Sequence, residues 1–248
     1  MTHGKSEPMT GRPLNTPDGA ARVAAYLRAA GLDQVEGHED EVALAIADFL
    51  EAMADKVAID DAASLYAYPV PMLTEDGTCS LPDALAPVPY DLSGILGGRS
   101  EQATRRLALL ERLVERAQET TGSDWVGIYQ RRTTPAGSPV LVKLAYVGRA
   151  SRAEFPLTPE FAAGSTNSTV GLTGRALVID DVKRHVADGG GFYVCDGEVQ
   201  SEACLPLLDE ARAVVGIVDA EAKPRSFYNP VRLATLSALA IVAAAVLP

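Results

Sequence analysis

The sequence is short of cysteine, of basic charge and of long apolar runs, and each shortage argues against a class of protein. Its three cysteines, Cys79, Cys195 and Cys204, are an odd number in a chain of 248 residues. The opening Met-Thr-His-Gly-Lys-Ser-Glu is not a basic, apolar leader. On this reading a disulfide-stapled secreted scaffold is not expected, and a reducing, cytoplasmic setting is. The longest uncharged apolar run, Leu233 to Leu247, falls below the roughly 20 residues of a membrane-spanning helix, so no membrane partner is expected. Three histidines and three cysteines without short ligand spacing give no metal-site signal. Lysine and arginine number 22 against 33 aspartates and glutamates, for a formal net charge of −11. Most of that excess is local, because residues 33–61 hold ten carboxylates against Lys56 alone. Such a face repels nucleic acid and reads as the solvated side of a helix.

What is present is enough for a sizeable core, with 47% hydrophobic and 22% charged residues. The length exceeds the roughly 100–150 residues most common for one domain, so a domain with an appendage is expected. Residues 1–18 have no period and read as a disordered tail. Residues 19–99 read as a helical N-terminal extension. It opens with a short helix near 19–31 and an amphipathic one over 40–58, where Val42, Ile46, Phe49, Leu50, Met53 and Val57 share a face. Residues 60–99, interrupted by Pro69, Pro71, Pro82, Pro87 and Pro89, are predicted to be a long irregular connection able to cover a pocket.

The third part, residues 100–248, alternates between the two periods. Ser100 is placed to cap a helix striped by Ala103, Leu107, Leu110, Val114 and Ala117. Strands are predicted at 125–130 and 139–147 around a turn at Pro135, and at 203–208 and 213–220 around a polar turn. A small helix and a long loop separate the hairpins, and Asn229 with Pro230 opens the last helix. This order predicts an α+β domain with an antiparallel sheet packed against its first and last helices.

Three segments carry a resemblance: Trp125-Val-Gly-Ile-Tyr129, Val194-Cys-Asp-Gly-Glu-Val-Gln-Ser-Glu202 running into Leu205-Pro-Leu, and Gly216-Ile-Val-Asp-Ala-Glu221. Over roughly residues 100–245 the chain resembles the free methionine-(R)-sulfoxide reductases, small enzymes built on the GAF fold. That resemblance implies a GAF-like antiparallel sheet flanked by helices. It implies a pocket for a small amino-acid-like ligand lined by Trp125, Tyr129, Glu202, Asp219 and Glu221, with Asp181 as a further lining residue. It also implies Cys195 as the attacking thiol, no bound cofactor, and an external thiol reductant of the thioredoxin type.

The residues themselves are compatible with that chemistry. Positions two apart on a strand share a face, so Trp125 and Tyr129 point together, as do Glu202 with Cys204 and Asp219 with Glu221. Carboxylates on central strands call for a partner, which a ligand ammonium supplies, and crowding raises the pKa of at least one of them. Glu202 is then the expected proton donor, with Asp219 and Glu221 gripping the ammonium. The two segments in which the family carries further cysteines read Gly148-Arg-Ala-Ser-Arg152 and Gly164-Ser-Thr-Asn-Ser-Thr169, without a thiol. A resolving thiol must therefore be Cys204, Cys79 if its segment folds over the site, or an external one. Two other readings stand beside the reductase: a non-catalytic GAF sensor of a small amino-acid-like ligand, and a divergent enzyme using Cys195 as nucleophile in another reaction. The apolar faces of the flanking helices are compatible with a homodimer.

Overall fold

The computed structural model describes residues 17–54, 62–74, 77, 79 and 84–248. Two helices come first, α1 (Pro17–Ala30) and α2 (Glu39–Ala54). Residues 1–16 of the predicted tail, and the end of the helix expected to reach residue 58, lie outside the described residues. The connection read as irregular contains a short antiparallel pair, β1 (Ala67–Tyr68) with β2 (Tyr90–Asp91), and isolated bridges Pro71 to Leu85 and Leu73 to Cys79. Each proline removes a ladder donor, so the strap pairs only in fragments.

From α3 (Glu101–Thr121) onward the predicted helices and hairpins appear, and the stretch between the hairpins, read as a small helix and a long loop, also holds two short edge strands and three short helices. The hairpin β3 (Trp125–Thr133) and β4 (Pro139–Val147) is followed by β5 (Glu154–Pro156), α4 (Pro159–Ala162), α5 (Thr166–Thr173), β6 (Leu177–Ile179) and α6 (Val182–Ala187). The second hairpin, β7 (Ser201–Leu208) and β8 (Val214–Ala222), leads into α7 (Pro230–Ala244). Ser100 accepts the Ala103 N–H to start α3, and Asn229 accepts that of Arg232 to start α7.

The six-stranded sheet runs β5-β4-β3-β8-β7-β6, antiparallel throughout, so the two hairpins meet at its centre through β3 and β8. One face packs on α3 and α7. There Val126, Ile128, Ala203, Leu205, Val218 and Ala220 join Leu110, Val114, Leu236 and Leu239 in the main core. Helix α7 is buried nearly all round, from Leu233 to Ala243, because α2 lies on its outer side with Val42, Ile46 and Phe49 turned inward. A helix apolar on every side needs such a second cover. The apolar face of α7, read from sequence as compatible with a dimer, is thus covered within the chain. Among the described residues no helix is long and apolar enough to cross a membrane.

Candidate functional site

The other face of the sheet bears the site. Strand register brings the segments of the two hairpins together: Trp125 pairs with Glu221, Gly127 with Asp219, Glu202 with Glu221, and Cys204 with Asp219. A side chain at position 127 would collide with the Trp125 ring, since a Cβ there would lie 2.2 Å from it, so glycine lets the indole lie across the strand. The indole Nε1 donates to the Arg149 carbonyl (3.0 Å), and its ring stacks on Tyr146 with centroids 6.2 Å apart. The Tyr129 hydroxyl donates to the Arg152 carbonyl at 3.3 Å. These bonds fix loop 148–153 as one wall of a cavity of about 260 Å³, lined by Trp125, Ser151, Cys195, Glu221, Arg149 and Asp196 among others. Its size suits a ligand no larger than a single amino acid.

Glu202 and Asp219, 1% and 3% exposed, are buried on the strands beside Glu221 and are not among the residues that line the cavity. The first turn of α5 holds them. Thr166 Oγ1 donates to Glu202 Oε1 (2.5 Å), and Asn167 Nδ2 donates to Asp219 Oδ2 (2.8 Å). The segment that lacks a cysteine therefore anchors the carboxylates. Their other oxygens, Glu202 Oε2 and Asp219 Oδ1, have no hydrogen-bond partner among the described residues. With Glu221 they present one oxygen each within 4.8 Å of one another. That donor set suits a cation, organic ammonium included.

Three carboxylates this close and this dry do not all ionise. Burial, then repulsion from Asp219 and Glu221, holds the Glu202 carboxyl well above the ordinary range. Burial pushes Asp219 up to about 6 against the hydrogen bond from Asn167. Glu221 is raised by burial and by Asp219, and Lys143 partly offsets this.

The thiols resolve into two groups. Cys204 is buried in a cluster with Trp125, Tyr129, Leu141, Val170 and Ile217, and burial pushes its thiol well up. Cys195, in the loop between α6 and β7, has its sulfur 2.6 Å from that of Cys79. The strap carrying Cys79 is pinned there, because the Gly77 carbonyl accepts from Arg152 Nη1 and from the Tyr193 hydroxyl, each at 2.5 Å. The Arg152 guanidinium in turn lies over Phe161 and Tyr193, 5.0 and 5.2 Å from their centroids. The hydrogen bond from Cys195, aided by the Tyr193 hydroxyl and by Arg152, draws Cys79 down to about 7. The same bond, with burial and Glu221, pushes Cys195 up. The two thiols therefore titrate as one coupled pair, in which either sulfur can be the donor.

Of the residues singled out by sequence, Trp125, Tyr129, Cys195, Glu202, Asp219 and Glu221 converge, and Cys79 joins them. Asp181 is not brought in. Its carboxylate caps α6 by accepting the Arg184 N–H and pairs with Arg225 at 3.2 Å. Sequence reasoning missed Thr166, Asn167 and Lys143. Lys143 left a readable signal, a lone charge in the apolar run Val140-Leu-Val-Lys-Leu-Ala. A larger groove of about 580 Å³ between α1, α7 and the β7–β8 turn is lined by Tyr26, Leu208 and Ile241 among others, and gathers no nucleophile.

An antiparallel six-stranded sheet with its terminal helices on one face and a small pocket on the other defines an α+β domain of the GAF type. The GAF domain profile matches residues 105–247, more than half of the chain, and the chain belongs to the GAF-domain family. Among solved structures it is similar to the type II free methionine-R-sulfoxide reductase from Thermoplasma acidophilum, with 20% identity, TM-score 0.51, and coverage of 59% of this chain and 94% of that one. It is also similar to the free methionine-R-sulfoxide reductase from Neisseria meningitidis in complex with its substrate (21% identity, TM-score 0.47, 56% and 76% covered). A third similar structure is the GAF domain of an Acinetobacter phosphoenolpyruvate-protein phosphotransferase (15%, TM-score 0.45, 57% and 80%). A sequence comparison with curated proteins finds no match. At 20% identity the first of these likenesses shows the fold alone, and a fold does not by itself define a function.

Proposed function

We propose that the chain reduces a small free sulfoxide of the methionine-(R)-sulfoxide type at Cys195, with Cys79 of the N-terminal strap as the resolving thiol. The observation that carries this reading is the 2.6 Å approach of the two sulfurs, with Cys195 on the wall of the cavity that Trp125 and Glu221 also line. The ligand ammonium meets Asp219 and Glu221, and its methyl sulfoxide end lies against Trp125. Cys79 takes the Cys195 proton, and the Cys195 sulfur attacks the sulfoxide sulfur while Glu202 protonates the oxygen. The oxygen passes to Cys195, which becomes a sulfenic acid, and the thioether leaves. Cys79 then attacks the sulfenic sulfur, a disulfide forms and water departs. An external dithiol of the thioredoxin type returns both thiols.

Turnover of free methionine-(R)-sulfoxide with a dithiol reductant tests this. Cys195→Ser is expected to abolish it, and Cys79→Ser to slow it, because the group that takes the Cys195 proton is lost and the sulfenic acid is left to the external dithiol. Turnover surviving Cys195→Ser would sink the reading. A second reading, a sensor without chemistry, is favoured by one observation: α2 of the extension lies directly on α7, which lies on β7 and β8 of the pocket sheet. It requires ligand-induced thermal stabilisation that persists in Cys195→Ala with no thioether formed.

A further inference from the structure

Lys143 lies on β4 with its side chain fully buried, an expensive place for an ammonium. Its Nζ donates to both the carbonyl and the hydroxyl of Ser151, at 2.8 Å each. Three rings enclose the rest of it, with centroids 4.0 Å away for Tyr146, 5.0 Å for Tyr68 and 6.0 Å for Trp125. Electron-rich faces at such distances favour a cation. The cage is completed from the N-terminal extension, since Tyr68 belongs to β1 and its hydroxyl donates to the Lys143 carbonyl (2.6 Å).

Nothing in the chemistry derived above uses this lysine, yet it backs the thiols. Ser151 lines the same cavity as Cys195, and the next residue, Arg152, donates through Nη1 to the Gly77 carbonyl, two residues before Cys79. The titratable groups facing the ammonium are Tyr68 from β1, Tyr146 from β4, Glu221 from β8, Cys195 from the loop before β7 and Cys79 from the strap. Behind Tyr68, the Tyr90 hydroxyl is bonded to Glu154, and the Arg152 guanidinium is taken up by Gly77 and Tyr193. Two thiols and one carboxylate therefore face a single cation.

We propose that Lys143 is the positioning residue of the thiol pair: its ammonium, clasped by Ser151 inside the aromatic cage, holds the loop that carries Ser151 and Arg152 beside the pair and supplies the positive charge that lets one thiol ionise. The proposal rests on the thiol-pair reading above, but not on which reaction the pair performs. Burial draws the lysine itself down to about 7, opposed first by Cys195 and then by Cys79 and Glu221. Coupling of this kind is reciprocal, so whatever the ammonium does for the thiolate, the thiolate does for the ammonium.

The test is the pH dependence of thiol alkylation in the reduced full chain, followed by mass for Cys195 and Cys79 separately. Lys143→Met keeps the volume and removes the charge. It is expected to raise the midpoint of the pair by about one unit, with alkylation about tenfold slower at neutral pH, and Lys143→Arg to recover part of the loss. A folded Lys143→Met variant that is less stable but keeps the wild-type pH profile would overturn the proposal, because a merely structural lysine does that. Should Lys143→Met fail to fold, the reverse measurement decides. In the Cys79→Ser, Cys195→Ser double variant the Lys143 ammonium, followed by NMR of isotopically labelled lysine, is expected to lose its proton at lower pH than in the wild type. An unchanged titration would equally overturn the proposal. Neither readout needs sulfoxide turnover, so it separates failure of this inference from failure of the reductase reading.

Discussion

On the helix side of the sheet, Val126, Ile128, Ala203, Leu205, Val218 and Ala220 meet α3 and α7 with no polar side chain among them. On the pocket side of the same strands, Trp125, Tyr129, Glu202, Cys204, Asp219 and Glu221 crowd three carboxylates beneath a loop and a strap. The first face contributes apolar burial, worth roughly 25 cal/mol per Å² removed from water. The second works against it. Burying carboxylates with one oxygen unpartnered costs stability. One strand thus serves both ends, and a shift of one residue in register would exchange them.

Substitutions on the two faces sharpen this contrast. Leu205→Ala, on the apolar face, is expected to cost about 2–5 kcal/mol by chemical denaturation, independent of pH, because it opens a cavity beneath α7. Asp219→Asn, on the polar face, is expected to act in the opposite sense. The folded carboxyl titrates near 6 rather than its ordinary 3.8, so the native state holds the proton more tightly and stability falls as pH rises through that window. The variant is then more stable than wild type by up to about 3 kcal/mol at pH values above about 7, and the gain vanishes as pH falls towards about 4. Thermal melts across that range check it, and a destabilised variant at neutral pH would break the contrast. Gly127→Ala is expected to cost about 1–3 kcal/mol by displacing the Trp125 indole, and to impair the pocket more than the fold. Fluorescence of the single tryptophan reports the displacement.

The apolar face was legible because strand period and helix stripe are local. Ser100 and Asn229 announced α3 and α7, and the branched runs around 140 and 217 announced β4 and β8. The partners of the carboxylates were not legible. Thr166 and Asn167 reach Glu202 and Asp219 only because α5 folds across the sheet, a contact spanning 36 and 52 residues. Asp181 looked like a pocket residue from its surroundings in sequence, yet an aspartate directly before a short helix finds a nearer partner in that helix's own N–H groups. The strap was read as a segment able to cover a pocket. That it carries Cys79 to Cys195, 116 residues away, follows from Arg152 and Tyr193 gripping Gly77, which no local pattern foretells.

The central claim is that the chemistry is divided between the GAF domain, which supplies Cys195, and the extension, which supplies Cys79. The most direct measurement treats the reduced full chain with an equimolar amount of free methionine-(R)-sulfoxide without reductant, blocks remaining thiols, and maps the cysteine peptides by mass. The expected result is one thioether formed per chain, a Cys79–Cys195 disulfide, and Cys204 unoxidised. Thioether formation with Cys79 still free, or with Cys204 in the disulfide, would contradict it.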